Sequence, residues 1–141
     1  MSGVAVVITL IFLIAGIREN TAIIRASMYA NSFDSLIENR RERLRDPDLV
    51  RIYDAYLNQE VSTLDELDRL RLREMVLNTF QIFEKAYFSK RYDLLGDAEW
   101  QRFERRICVG HERINAAGMA ETVSSRMTEE FMEYVATICQ E

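Results

Sequence analysis

From Val4 to Ile17 the chain is apolar apart from Thr9 and Gly16, and counted from Met1 the uncharged stretch reaches 17 residues. That length is the lower edge of what crosses roughly 30 Å of hydrocarbon. A helix apolar on every side is rarely the core helix of so small a domain. A cleaved leader fits poorly, because no basic residue precedes the run and no small-x-small site comes before Arg18 and Glu19. The pattern predicts a membrane anchor. Past Arg18 the apolar positions narrow to a stripe: Ala22, Ala26, Tyr29, Phe33, Leu36 with Ile37, and Leu44 recur at steps of three and four. One helix over residues 3–45 follows, ended at Asp46-Pro47 because the residue before proline is pushed out of the α region. Ala22, Ala26 and Ala30 form a small-residue ridge on which another helix can approach closely, from this chain by preference and otherwise from a partner.

The remaining pattern is a series of shorter helices. Asp46 as cap with Pro47 at the first helical position opens one that ends before Val61 and carries Leu49, Ile52, Tyr53, Tyr56 and Leu57 on one face. Thr63 and Glu66 offer a capping box for a helix over about 63–93, with Leu64, Leu67, Leu72, Val76, Phe80, Phe83 and Tyr87 as its stripe. Gly96-Asp97 breaks and recaps the chain before a helix with Trp100, Phe103 and Ile107 facing inward. Ile114, Ala117 and Met127 hint at a further helix, and Thr128 caps a last one bearing Phe131, Tyr134, Val135 and Ile138. The expected architecture is all-α: a membrane span at 1–17, a continuous helical stalk at 18–45, and a soluble bundle of four or five helices at 46–141.

Composition agrees with helices. One Pro, five Gly and 48% hydrophobic residues in 141 suit a packed helical domain that needs no metal or disulfide to hold it together. The net charge of −5 argues against a general nucleic-acid binder. Residues 1–45 carry six Arg against four acids, +2, leaving −7 for residues 46–141. Arg18 and Arg25 flank the span on its C-terminal side, so the positive-inside rule predicts a cytoplasmic bundle. Cys108 and Cys139 read as two buried thiols of a reducing compartment; a disulfide between them would require an extracytoplasmic domain.

The stretch GVAVVITLIFLIAGIRENTAIIRASMYANSF, with Ile17-Arg18-Glu19-Asn20-Thr21 at its centre, resembles a group of bacterial single-pass membrane-anchored helical proteins. Their N-termini run from an apolar span through Ile-Arg-x-Asn-Thr into an Ala/Arg-rich helix. PDLVRIYDAYL (47–57), FQIFEKAYF (80–88), WQRFE (100–104) and TEEFMEYV (128–135) resemble the same group. The resemblance implies the helical fold and attachment to the bacterial inner membrane, and it carries no activity. The group has several more residues before the apolar run, so either the span is short or the start codon lies upstream.

Catalytic patterns are missing from the sequence: there is no Gly-rich phosphate loop, no G-x-S-x-G and no H-E-x-x-H. One histidine, His111, cannot supply the paired Glu-x-x-His motifs of a di-iron bundle. Beside Cys108 it could form a nucleophilic pair, but a surface histidine next to a structural cysteine is the plainer reading. Glu84 lies among aromatics and could have a raised pKa, although such a carboxylate more often pairs with an Arg or a Tyr hydroxyl at a buried polar position or faces solvent. Phe83, Tyr87, Trp100 and Phe103 could line a pocket with Glu84, although aromatics at helical spacing are usually core. Arg40, Arg41, Arg43 and Arg45 read as a solvated face paired to Glu38, Glu42 and the acidic bundle, or else as a site for an acidic partner. These observations favour a non-enzymatic interaction protein without a cofactor, an accessory or adaptor subunit bound to the bilayer and to another membrane protein or to itself. The alternative is a tethered small-molecule- or lipid-binding domain, or an enzymatic one, built around Glu84, Tyr87 and Trp100.

Overall fold

The computed structural model describes residues 2–139, with side chains from Ala5 onward. It is all-helical. The helices are α1 (Ser2–Arg45), α2 (Pro47–Leu57), α3 (Glu66–Arg91), α4 (Asp97–Ala116), α5 (Ala120–Ser124) and α6 (Glu129–Ile138), with a 3-10 turn at Val61–Thr63. No strand occurs among the described residues. The long apolar N-terminal helix and a bundle of five further helices match the expected fold class.

Every described side chain from Ala5 to Asn20 is exposed, so no described residue covers α1 over that stretch. This helix is long and apolar enough to cross a membrane. Its later turns belong to the bundle. Arg25 holds Asp93 at the end of α3, donating from Nε to the backbone oxygen at 2.7 Å and ion-pairing through Nη2 with the carboxylate. Further along, Asn39 Nδ2 donates to Thr79 Oγ1 at 3.2 Å. The two contacts lie fourteen residues apart along α1 and fourteen apart between Thr79 of α3 and Asp93 just past its end, the register of an antiparallel pair. The packed part of the molecule therefore begins near Arg25 and includes most of the predicted stalk.

The face α1 turns to the bundle differs from the predicted stripe. Ser32 and Asn39 are buried, Tyr29 and Leu36 pack against the core, and Leu44 stands exposed. Ala22, Ala26 and Ala30 are exposed as well. The preferred expectation of a covering helix from the same chain is thus overturned. At about 100° per residue the ridge lies about a quarter turn round the helix from the Arg25–Tyr29–Ser32–Leu36 face, beyond the reach of α3.

Local chemistry explains the helix starts. Asp46 caps α2 by accepting from the Asp48 amide at 2.9 Å, ahead of Pro47. The expected Thr63 cap of α3 is corrected: Asp65 accepts from the Asp68 amide at 2.8 Å instead, and α3 begins at Glu66. Thr63 spends its hydroxyl on the Glu60 carbonyl at 2.7 Å, closing the 3-10 turn. Leu64 is extended and buried, which pins the chain outside the helix there. Of the predicted α3 stripe only Leu67 fails to pack, at 56% exposed. Ile114 ends α4 rather than opening a new helix, and Gly118 takes φ +68° just past the helix end, where a left-handed residue is favoured. The fifth helix shortens to Ala120–Ser124.

Phe80, Phe103, Phe131, Ile52, Leu72, Ile107, Ile114 and Val135 are fully buried and form the centre of the core.

Candidate functional site

The residues proposed to share a pocket do not meet around a cavity. Trp100 and Phe103 are buried and stack on each other, and Phe83 is buried with its ring edge-on to Phe80. Tyr87 packs against Trp100, Phe131 and Tyr134. Its hydroxyl donates to Glu130 Oε1 at 3.0 Å. Trp100 Nε1 shares its hydrogen between Glu104 Oε1 at 2.8 Å and the Tyr134 hydroxyl at 3.1 Å, while that hydroxyl donates to Glu104. Burial, then the Glu104 hydrogen bond, pushes the Tyr134 phenol up to about 12. The network satisfies polar tips of aromatics that join α3, α4 and α6.

Glu84 points elsewhere. Its Oε1 accepts from the Thr128 amide at 2.6 Å and the Thr128 hydroxyl at 2.8 Å. Thr128 holds the N-cap position of α6 but makes no side-chain capping bond. A carboxylate from α3 does the capping in its place, where the helix dipole favours negative charge.

Cys108 and Cys139 are joined in a disulfide, with Cα atoms 5.1 Å apart and positions 31 apart in sequence. The expectation of two reduced thiols is corrected. Cys108 lies on α4 and Cys139 caps the end of α6, so a long-range helix pairing invisible to local pattern creates the bond. It also removes the thiol that a Cys–His nucleophile would need. His111 instead lies 3.5 Å from Asn115 Nδ2, one turn along α4.

The predicted basic cluster divides in two. Arg41 and Arg45 pair with Glu38 at 3.6 and 3.8 Å, as expected of a solvated face. Arg40 and Arg43 turn to a groove of about 640 Å³ between α1 and α4, where Arg102, Arg105, Arg106 and Arg113 join them. Among the described residues no Asp or Glu lines this groove. Tyr56, Val76, Phe80 and Phe83 contribute its apolar lining. Reading the sequence missed the α4 arginines. The available signal was their spacing: 102, 106 and 113 share one helix face, with Arg105 beside them. A larger depression, about 1140 Å³, lies around Leu67, Leu70 and Met119, but its charges are mixed and used locally. Arg69 there donates to the Ser62 carbonyl at 3.0 Å and Arg73 pairs with Glu74 at 3.7 Å.

Among the described residues no group of acidic, His and Cys side chains has the arrangement of a metal site. No family model, curated protein or solved structure compared with the chain matches it.

Proposed function

We propose that this chain is a membrane-anchored, non-enzymatic interaction protein that docks beside another membrane protein, or a second copy of itself, through the membrane-proximal part of α1. The uncovered flank of that helix carries the reading. The bundle closes onto α1 from Arg25 onward, yet Ala22, Ala26 and Ala30 stay exposed, and Ile23, 61% exposed, shares their face. Ile23 lies six residues past Ile17, roughly 9 Å along the helix axis, at the outer margin of a bilayer. An apolar flank with small residues at that depth suits a close helix–helix contact.

The bundle is assigned to the extracytoplasmic side, opposite to the orientation that Arg18 and Arg25 predict. The Cys108–Cys139 disulfide supports this, since such bonds persist in oxidising compartments. The opposing signal is small: it rests on two arginines, Arg18 and Arg25. A second reading, that the bundle is a ligand-binding domain, takes its support from the arginine groove rather than from Glu84, Tyr87 and Trp100.

Photo-crosslinking in native membranes tests the docking. A benzophenone side chain at Ala26 should give one discrete adduct with a membrane-embedded chain, and the same group at Arg41 should give none. Absence of any adduct from Ala22, Ala26 and Ala30 would contradict the docking.

A further inference from the structure

We infer that the groove between α1 and α4 binds a soluble, amphipathic organic anion: a phosphate or carboxylate group carried on an aromatic or similarly apolar body. This rests on the second reading above and not on the docking of α1. The charge of the groove is the first observation. Six arginines line it, from two helices and with no acid among them, in a chain whose net charge is −5. Among the described residues, none of the six has a carboxylate oxygen within 4.0 Å, whereas Arg25, Arg41, Arg45, Arg51, Arg71, Arg73 and Arg91 all do. Acidic side chains were abundant for neutralising this face, and they lie elsewhere.

The poses of three of these arginines are the second observation. Arg43 lies 4.1 Å from the centroid of Tyr53, Arg106 lies 5.5 Å from that of Phe33, and Arg102 Nη1 donates to the Tyr29 hydroxyl at 3.2 Å. Aromatic groups orient these guanidinium ions without cancelling their charge. Planar, weakly hydrated guanidinium groups suit bidentate contact with phosphate or carboxylate oxygens.

The floor is the third observation. Val76, Phe80 and Phe83 rise from α3, and α4 approaches them through Gly110, where a Cβ would stand in ordinary contact, 3.5 Å from the rings of Phe80 and Phe83. Apolar lining favours the body of the ligand and the arginines its charged group. A volume of about 640 Å³ is of small-molecule size. Phospholipid in the bilayer is a poor source, because Leu36 to Arg43 lie roughly 30–40 Å along α1 from Ile17.

The test is calorimetry on the full chain in nonionic detergent, with protein-free micelles as the blank. The probes are 1-naphthyl phosphate, neutral 1-naphthol and inorganic phosphate. Saturable one-to-one binding of 1-naphthyl phosphate is expected, about tenfold or more tighter than either fragment. R106Q/R113Q should weaken it by about tenfold or more, and R41Q/R45Q should leave it within about twofold. Absence of saturable binding up to about 1 mM, or insensitivity to R106Q/R113Q, overturns the site. Equal affinity for inorganic phosphate overturns the amphipathic assignment. In vesicles of phosphatidylcholine with phosphatidylglycerol the affinity should equal that in phosphatidylcholine alone; loss of binding there would mean that lipid headgroups occupy the groove and would overturn a soluble ligand. Because none of these measurements involves Ala26, a failed site and a failed docking give separate results.

Discussion

Phe131→Ala is expected to destabilise the bundle by about 3–5 kcal/mol, the range for truncating a fully buried phenylalanine. Phe131 is 0% exposed and packs on Tyr87 with ring centroids 5.6 Å apart. Its helix, α6, has only ten residues, too few to persist without tertiary anchors. Losing that ring opens a cavity where α3 and α6 meet and loosens the aromatic network around Trp100. For a domain whose total stability is about 5–15 kcal/mol, the loss is a large fraction. Denaturant unfolding of the full chain in nonionic detergent measures it, as a lower midpoint with unchanged slope. Phe131→Leu should recover more than half of the loss, because it keeps most of the volume. A loss below about 1 kcal/mol for Phe131→Ala would mean that α6 does not close the core.

Replacing both cysteines, as C108S/C139S, is expected to remove about 3–4 kcal/mol. The estimate follows from the chain entropy that a link between residues 31 apart takes from the unfolded state. A reducing agent should lower the stability of the wild-type chain by a similar amount and leave C108S/C139S unchanged. The same unfolding measurement checks both. Combined with Phe131→Ala, the cysteine replacements should be less than additive: once α6 has lost its covalent tie, its detachment limits what a further cavity in its packing can cost. A reductant effect of similar size on C108S/C139S would refute the assignment to this bond.

What could be read in advance follows the range of the interactions. The end of α1 was legible because Asp46-Pro47 acts on its own neighbours, and the apolar run to Ile17 needs no partner to be recognised. The start of α3 was less so, since Thr63 and Asp65 are both good caps and the burial of Leu64 decides between them. The face of α1 was misread because its inward positions include Ser32 and Asn39, small or polar residues that suit close approach and a bond to Thr79. Glu84 was noticed as a carboxylate among aromatics, but its partner lies 44 residues away at the start of α6. Separation in sequence likewise hid the disulfide and the arginine groove. Arg40 and Arg43 gain their meaning only when α3 brings α1 and α4 to either side of one apolar floor.

For the anchored chain proposed above, the side of the membrane on which the bundle stands decides what it can meet, and the state of Cys108 and Cys139 in living cells reports it most directly. Cells expressing the full chain would be quenched in acid and their proteins alkylated with a polyethylene-glycol maleimide, with and without prior reduction. An extracytoplasmic bundle gives no mass shift before reduction and a shift of two adducts after it. Two adducts without reduction would put the domain in the cytoplasm and return the orientation to the one that Arg18 and Arg25 suggest.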